Sequence, residues 1–417
     1  MGSVGPETVN GYRRYLPLAG DPRIADRDTM SPYEVSEKML AEPVIKELFD
    51  GWRANISKPY YGITTDGTKV ENIYSLQDEG APTQKIVAAA NQVLESFTPE
   101  ERLKTLNSLD SGNWRKWSNT EIIAYEVGVR LEHLQDHQVD QIWNLLKQSL
   151  SEAGYAKAQA AVRTNKFLGE LCHSRAMLND RSYFFQIFGQ PSETEPWGYS
   201  FFGHHLVLNI FFVENQMVIG PAFIGAEPNI IDAGPNKGTQ LFIPEAKLGL
   251  QLMQSLSPEQ QSQAQIYVGL HDPAMPEDRW NLADQRHLAG TSQDNRVIPY
   301  EGVVATSLTP ELQELLISIV AVFQELLPAA PLAHKLELIR KHLPETYFSW
   351  IGKFGDDDPY YYRIQSPVVL VEFDYHSGIY LTNTEPQKYH THTIQRLPNG
   401  GDYATELIRQ WKEKHAK

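Results

Sequence analysis

Residues 197–228 read WGYSFFGHHLVLNIFFVENQMVIGPAFIGAEP, and this stretch decides the fold. Two runs rich in aromatic and β-branched residues flank Glu214-Asn215, a pattern typical of two strands joined by a two-residue turn. Such a turn pairs Val213 with Gln216. The stretch therefore predicts a long antiparallel hairpin in a largely apolar sheet.

The register of this hairpin assigns the candidate site residues to its two faces. Counting back from the turn, His204 faces Gly225 and Phe202 faces Glu227. Glu227 is then a diagonal neighbour of His204, about 7–8 Å away from backbone to backbone, a separation that one metal ion can span. His205 points to the other face. We expect His204 and Glu227 to share a site; the alternative is that the two histidines are simply buried and hydrogen-bonded.

A second group of histidines lies near the C-terminus, where residues 389–396 read YHTHTIQR. Positions two apart share one face of a strand, so His390 and His392 can direct both imidazoles to one point. This spacing is typical of metal sites. The alternative is a polar edge strand with two exposed histidines.

Residues 368–374 read VVLVEFD and predict a buried strand that carries two carboxylates, Glu372 and Asp374. An unpaired buried carboxylate is costly, so each should meet a metal ion, an arginine or a histidine. Arg363 and Arg396 are nearby in the sequence, and ion pairs with them are the simpler expectation. The residues expected to contact a substrate or to support the metal ligands are His205, Tyr362, Arg363, Glu372 and Arg396.

Patterns outside these blocks predict the rest of the architecture. A helical stretch covers residues 32–53, and the pattern over residues 83–180 is almost wholly helical. Strand-forming residues concentrate in 183–231 and 360–394. The predicted strands are too few and too clustered for a fold in which strands and helices alternate along the chain. We therefore predict an α+β fold in which helical layers pack on a mainly antiparallel sheet.

The same patterns predict the domain organisation. Residues 1–58 form an N-terminal arm and helix, and residues 59–417 form a single integrated catalytic body, because no long linker separates the two strand-rich blocks. Two helix start signals lie within this body, Thr98-Pro99-Glu100-Glu101 and Ser257-Pro258-Glu259-Gln260. In each, the first side chain can cap the helix and the fourth can return the hydrogen bond.

Composition excludes several classes of protein. The 417 residues carry 37 Lys and Arg against 52 Asp and Glu, a net charge of −15 without any basic run, so we expect no nucleic-acid partner. No apolar run approaches the roughly 20 residues of a membrane helix, so we expect no membrane partner. A single cysteine, Cys172, excludes a disulfide framework within the chain. Because residues 1–6 show no secretory signal, we expect a cytoplasmic location.

Several blocks of the sequence, taken together, resemble a large family of bacterial and fungal proteins catalogued as a domain of unknown function. Between about residues 60 and 411 the matching blocks are Tyr61–Gly67, Trp114–Asn119, Pro196–Gly198, Gly203–Leu206, Pro221–Pro228, Tyr362–Pro367 and His390–His392 with Arg396. Ser366 departs from the family pattern, in which glycine is more usual. The resemblance implies no particular activity, but it favours a shared site of His204, Glu227, His390 and His392.

The residues and the resemblance together predict a metal-dependent enzyme that acts on a small organic substrate. His204, His390 and His392 are the expected ligands of a divalent transition metal (Zn²⁺, Fe²⁺ or Mn²⁺), with Glu227 as fourth ligand or general base. Hydrolysis by metal-activated water is the preferred chemistry. The alternatives are a non-haem iron oxygenase or oxidase with a His/His/carboxylate site, and a non-catalytic small-molecule binding protein. The oligomeric state stays open.

Overall fold

The computed structural model describes residues 11–416 except residues 19 and 26. The first ten residues of the N-terminal arm, on which the expected lack of a secretory signal rests, lie outside the described residues. None of the described helices combines the length and apolar character that a membrane span requires. The cytoplasmic location stays a prediction.

The described part of the chain forms one sheet of twelve strands. In chain order these are β1 (Leu106–Asn107), β2 (Val129–Arg130), β3 (Tyr183–Phe188), β4 (Trp197–Gly203), β5 (Leu206–Val213), β6 (Gln216–Ala226), β7 (Gln265–Tyr267), β8 (Val303–Val304), β9 (Tyr347–Ile351), β10 (Tyr361–Gln365), β11 (Leu370–Tyr375) and β12 (Thr391–Arg396). Their order in the sheet is β1-β3-β4-β5-β6-β12-β11-β10-β9-β7, with β2 beside β3 and β8 beside β9. Only the β1–β3 and β7–β9 pairings of these strands are parallel, so the mainly antiparallel sheet is confirmed.

Eleven α-helices in the described residues pack around this sheet. They are α1 (Pro32–Leu40), α2 (Pro43–Ser57), α3 (Thr83–Ser96), α4 (Pro99–Thr105), α5 (Asp136–Ser149), α6 (Glu152–Leu171), α7 (Ile243–Ser255), α8 (Pro258–Ala264), α9 (Pro310–Phe323), α10 (Ala329–Lys341) and α11 (Thr405–His415). Both start signals are confirmed as capping boxes, Thr98 with Glu101 and Ser257 with Gln260. The α+β fold class is also confirmed.

Two of the helical predictions were too broad. Residues 106–135 contain β1, β2 and short 3₁₀ turns instead of α-helix. This segment is rich in Ser, Asn and Asp, whose short side chains compete for backbone hydrogen bonds; for example, Ser111 accepts from the Asn113 N–H. The single helix predicted over residues 32–53 is divided into α1 and α2, because Pro43 lacks an N–H and begins a new helix.

The central strands of the sheet have two differently covered faces. The two strand-rich blocks meet where β6 pairs with β12. One face of β10 and β11 packs towards α7 and α9, and this helix-covered face carries Tyr362 and Phe373. The other, which we call the loop-covered face, contacts the irregular segment 284–301. Both faces are buried.

Candidate metal centre

Three histidines from separate parts of the chain meet at one end of the central strands. His205 lies in the two-residue turn between β4 and β5, His390 directly precedes β12, and His392 lies within it. The Nε2 atom of His392 lies 3.0 Å from Nε2 of His390 and 3.1 Å from Nε2 of His205. All three side chains are buried, with ligand atoms within 4.8 Å of one another. These residues, here called the histidine triad, can hold a metal ion.

The predicted hairpin is confirmed at its turn, but its register was wrong further along. Val213 pairs with Gln216 as expected. The register then shifts between Leu208 and Ile210, because Asn209 alone lies opposite two residues of β6, Gly220-Pro221. Pro221 has no N–H to give to the ladder, and prolines within sheets are confined to edges and bulges. The side-chain amide of Asn209 donates to the Pro221 carbonyl at 3.1 Å.

This one-residue shift exchanges the two adjacent histidines. His205, instead of His204, lies opposite Gly225, whose N–H donates to the His205 carbonyl at 2.8 Å. A Cβ atom at Gly225 would come within 2.8 Å of the His205 ring and 3.0 Å of the His392 ring, so the glycine leaves the space that both imidazoles use. A shift of one residue moves a side chain to the opposite face of a strand. The expectation that His204 and Glu227 share a face, with His205 on the other, is therefore wrong.

His204 lies beside the triad without pointing into it. Its Nδ1 atom is 2.8 Å from the side-chain oxygen of Asn165, and its ring stacks on that of His205 with centroids 3.7 Å apart. Burial lowers the pKa of His204 to about 4, although the charge of Glu121 opposes this shift. His204 is therefore a neutral ring that packs against one member of the triad.

The far nitrogens of two triad rings face oxygen acceptors. Nδ1 of His390 lies 2.8 Å from the Ser377 carbonyl oxygen. A carbonyl oxygen can only accept a hydrogen bond, so Nδ1 carries the hydrogen of this ring. Nδ1 of His392 faces the Asp284 carboxylate at 3.6 Å, which is beyond hydrogen-bond distance. Asp284 is itself held by the side chain of Asn119 at 2.6 Å. A carbonyl or carboxylate behind the ring is the usual support of a histidine that binds metal through its other nitrogen.

In the neutral triad a single hydrogen has to serve two contacts. With its hydrogen on Nδ1, His390 presents a lone pair at Nε2, so His392 must donate from its own Nε2. The Nε2 atom of His205, 3.1 Å away, can then only accept a share of the same hydrogen, in a weaker three-centre hydrogen bond. Burial and the neighbouring imidazoles hold the pKa of His205 and of His392 well below the usual range, so extra protons are disfavoured. A cation shared by the three lone pairs satisfies all three rings.

Glu227, the predicted base or fourth ligand, is occupied by backbone amides. Its Oε1 atom accepts from the N–H groups of Ile379 and Leu381, each at 2.9 Å, and of Tyr380 at 3.1 Å. The same oxygen is 3.9 Å from Nδ1 of His390, the nitrogen that faces away from the triad. The structure therefore places Glu227 behind His390 and not among the converging nitrogens.

The two predicted strand carboxylates have partners other than the expected arginines. Glu372 accepts from the N–H groups of Leu288 and Ala289 at 2.8 and 2.9 Å, and Asp374 pairs with Arg286 at 2.8 Å. All of these donors come from the segment that covers the sheet. The expected ion pairs with Arg363 and Arg396 are wrong because this segment, remote in sequence, reaches the carboxylates instead.

The remaining residues expected around the site lie away from the triad. Arg363 pairs with Glu301 at 2.7 Å, and Arg396 pairs with Asp402 at 2.6 Å and with Asp294 at 2.7 Å. The Tyr362 hydroxyl, on the helix-covered face, donates to the Glu245 carbonyl of α7 at 2.9 Å. These contacts join parts of the fold.

Sequence reasoning missed two histidines that adjoin the triad. The His376 ring lies 3.9 Å from that of His392, and its Nε2 atom is 3.1 Å from the Asp374 carboxylate. His287 is fully buried, and neither ring nitrogen has a hydrogen-bond partner among the described residues. The signal for His376 was its place two residues after Asp374, just beyond the predicted strand 368–374. For His287 there was no signal, since it lies in an irregular segment without periodicity.

A pocket of about 90 Å³ opens above the triad. Apolar side chains of α1 and α2 line it, among them Met39, Leu48 and Phe49. Glu121 supplies a carboxylate to the wall and accepts from the Tyr380 hydroxyl at 3.2 Å and from Arg27 at 3.3 Å. Burial acts to raise the pKa of Glu121, but the charge of Arg27 and other interactions outweigh it and hold that pKa below its ordinary value. The pocket therefore combines an apolar wall with an ionised carboxylate and three imidazoles.

The fold and this site define an α+β protein with a buried three-histidine group that can hold a metal ion. The chain belongs to the DUF3500 family, described as proteins of unknown function, whose family model matches residues 79–405. This confirms the resemblance to a domain of unknown function. Comparisons with curated proteins and with solved structures gave no significant match. All three residues of the triad lie within the matched range.

Proposed function

We propose that His205, His390 and His392 bind one divalent transition metal ion, and that the protein is a metal-dependent enzyme acting on a small organic substrate. The observation that carries this proposal is the convergence of three buried Nε2 atoms that in the neutral state have one hydrogen to share between two contacts. Neutral imidazoles are also the protonation state that metal binding requires. The pocket above the triad has room for several water molecules or a small organic group.

The composition of the triad favours zinc over the other metals considered. Two nitrogens bound to zinc at about 2.0–2.1 Å lie roughly 3.3 Å apart at a tetrahedral angle and roughly 2.9 Å apart at a right angle. Two of the three nitrogen–nitrogen separations in the triad, 3.0 and 3.1 Å, lie between these values. Imidazole ligands suit Zn²⁺ and Fe²⁺, whereas Mn²⁺ prefers oxygen ligands. We therefore propose Zn²⁺, with Fe²⁺ as the competitor that the experiment must exclude.

Hydrolysis is the chemistry that the site supports best. Zinc held by three histidines keeps a position open, lowers the pKa of a bound water to about 7 and polarises a substrate carbonyl. An iron oxygenase of the His/His/carboxylate type needs a carboxylate among the converging atoms. In the described part of the chain the converging group is three imidazoles. This composition favours the hydrolase over that alternative.

We assign the pocket carboxylate, rather than the predicted Glu227, to the role of general base. Glu121 faces the pocket and stays ionised at neutral pH, so it can accept a proton from a nucleophile bound beside the triad. Glu227 already accepts three backbone N–H groups through Oε1. Its proposed role is to hold residues 379–381 behind His390, which makes it a positioning residue.

Metal content in matched variants tests the ligand set. We expect close to one zinc per chain in protein purified without chelators, measured by elemental analysis. His205→Gln should lose the metal, whereas the adjacent His204→Gln should keep it, because His204 directs its nitrogen at Asn165. Circular dichroism should show the same fold for both variants. Metal retained in His205→Gln but lost in His204→Gln would refute the triad and restore the register expected from the sequence.

Hydrolysis of small chromogenic esters and amides tests the chemistry. Glu121→Gln should retain zinc and lose turnover by about a hundredfold or more, the usual contribution of a general base. Glu227→Gln should affect turnover less and change metal affinity through His390. Iron in the purified protein, with oxygen uptake and no hydrolysis, would exclude the hydrolase.

A further inference from the structure

The pocket above the triad has a mostly apolar wall, and this wall limits which substrates the proposed metal centre can take. The inference drawn from it rests on the proposed function, because it concerns the same site. Besides the side chains from α1 and α2, Ile122, Leu282 and Ile379 contribute to the wall. Ile379 is 42% exposed although it is apolar, so it lies at the opening. A ligand with an apolar chain would remove this surface from water, which favours binding.

The polar side chains of the wall already have partners within the protein. The amide nitrogen of Asn119 donates to Asp284 at 2.6 Å, and its oxygen accepts from the Thr291 hydroxyl at 2.6 Å. The carboxylate of Glu121 pairs with Arg27 at 3.3 Å. Beyond the triad and the proton-accepting oxygens of Glu121, the wall therefore offers a substrate mainly apolar contacts.

The charges around the pocket disfavour a substrate whose chain is ionised. No lysine or arginine is among the described residues that line the pocket. A negatively charged chain would therefore meet the ionised Glu121 without a cation to compensate it, which is a costly state in a buried site. A positively charged chain would lie beside the proposed metal ion, which has the same sign of charge. The wall therefore fits an uncharged chain.

The volume of the pocket limits the length of this chain. A dry, apolar protein cavity of about 150 Å³ holds one benzene ring, which corresponds to roughly 25 Å³ for each carbon atom. At about 90 Å³, the pocket above the triad therefore takes roughly four carbon atoms. A larger group attached to this chain has to stay at the opening beside Ile379.

We propose that the substrates of this site are esters or amides of a short, uncharged aliphatic acid, with an acyl group of three or four carbons. The acyl carbonyl lies at the metal ion, the aliphatic carbons pack on Met39 and Leu48, and the leaving group extends past Ile379. The oxygen of water bonds to the acyl carbon, and the bond from that carbon to the leaving oxygen or nitrogen breaks. The leaving group takes up a proton from the same water through Glu121, so an acid and an alcohol or amine are released.

Turnover of nitrophenyl esters with matched acyl groups by the zinc-loaded protein tests the substrate class. From acetyl to butyryl, kcat/KM should rise by about tenfold, because each added methylene group is worth roughly fourfold when it is buried. For hexanoyl it should fall again, to no more than the acetyl value. The β-alanyl ester matches the butyryl ester in size but ends in an ammonium group, and it should react at least about tenfold more slowly. Equal kcat/KM for all four esters, or a preference for β-alanyl, would overturn the proposal and leave hydrolysis itself standing.

Two half-buried leucines of the helix pair supply matched variants. Leu48 of α2 lines the pocket, whereas Leu40 of α1 lies outside its wall. Leu48→Ala enlarges the pocket, so kcat/KM for hexanoyl relative to butyryl should rise by about tenfold. Leu40→Ala should change this ratio by less than about twofold, and both variants should keep their metal. The same change of the ratio in both variants would refute the assignment of the acyl chain to this wall.

Binding to the metal-free, unmodified protein separates a failure of this inference from a failure of the proposed function. Ligand-observed NMR with butyramide, hexanamide and β-alaninamide should show the tightest binding for butyramide. If no ester is hydrolysed, the proposed function fails, but a preference for butyramide still assigns a short, uncharged chain to the pocket. Equal binding of the three amides, or no binding of any, would refute that assignment as well.

Discussion

The two faces of the central strands are equally buried but chemically opposite. On the helix-covered face, Tyr362 stacks on Phe373 with ring centroids 5.2 Å apart and on Trp350 with centroids 6.2 Å apart. On the loop-covered face, the residues next to these aromatic residues in the same strands are charged. Arg363 follows Tyr362 in β10, and Glu372 precedes Phe373 in β11. Burial alone therefore does not tell which face of this sheet carries polar chemistry.

The covering element explains the difference. A helix satisfies its interior backbone groups by itself and offers a sheet mainly side chains. An irregular segment leaves backbone N–H and C=O groups that need partners. Leu288 and Ala289 donate such N–H groups to Glu372, and the Ala289 carbonyl accepts from Arg396 at 3.0 Å. Buried charges, and the histidines beside them, are stabilised where the cover is a loop.

Acid should separate the two faces most strongly. Burial lowers the pKa of His204, His205, His376 and His392 in the folded protein. Below the ordinary histidine pKa of about 6.5, protons therefore bind preferentially to the unfolded chain, and stability present at neutral pH is lost as the pH falls. Between pH 6 and 5 each group should cost about 1.2 kcal/mol, or roughly 5 kcal/mol for the four together.

Urea unfolding of metal-free protein at several pH values measures this loss. In the control variant His204→Gln, the loss of unfolding free energy between pH 6 and 5 should be smaller by about 1.2 kcal/mol, the contribution of one histidine. Stability that is constant from pH 7 to 5 would show that the imidazoles are not held neutral by burial, and would remove the contrast between the faces.

Removing a buried charge from the loop-covered face should have the next largest effect. Arg396→Met removes the ion-pair partner of buried Asp402 and leaves buried Asp294 paired with Arg115 alone, which should cost about 3–5 kcal/mol. Urea denaturation measures the change. The surface variant Arg340→Met, which breaks an exposed pair with Glu314, should cost no more than about 1 kcal/mol. A similar loss of stability in the two variants would mean that water reaches the charges on the loop-covered face despite their burial.

Metal binding should stabilise the loop-covered face specifically. At a zinc concentration about 100 times the Kd, a ligand that binds only the folded state adds about 2.7 kcal/mol. We therefore expect added zinc to raise the Tm of the wild-type chain and not that of His392→Gln. A rise of the same size in both proteins would place the zinc elsewhere.

The smallest effect is expected on the helix-covered face. Tyr362→Phe removes the hydroxyl that donates to the Glu245 carbonyl but keeps the stacked ring, so stability should fall by about 1 kcal/mol. Metal content and turnover should not change, as measured by elemental analysis and ester hydrolysis. A loss of metal in this variant would return Tyr362 to the site, where sequence reasoning had placed it.

Local patterns in the sequence predicted what local forces determine. The turn at Glu214-Asn215 and the capping boxes depend on residues within four positions, and they are confirmed. His390 and His392 are brought together by the period of a single strand, which is also a local property.

Contacts between distant segments were not predictable in the same way. The partner of Asp374 is Arg286, and Glu227 is enclosed by the backbone of residues 379–381. The exchange of His204 for His205 is an intermediate case. Pro221 inside a strand was a visible sign of a bulge, and counting one extra residue there would have placed His205 opposite Gly225.

The wall of the pocket above the triad is built partly from residues outside the range shared with the family. The three imidazoles lie within residues 79–405, the range shared with the family, whereas Met39, Leu48 and Phe49 of the pocket wall precede it. Substitutions in α1 and α2 can therefore alter the wall of the pocket while the histidine triad keeps its geometry. For the proposed enzyme, this arrangement predicts that substitutions in α1 and α2 change substrate selectivity and leave the metal content unchanged.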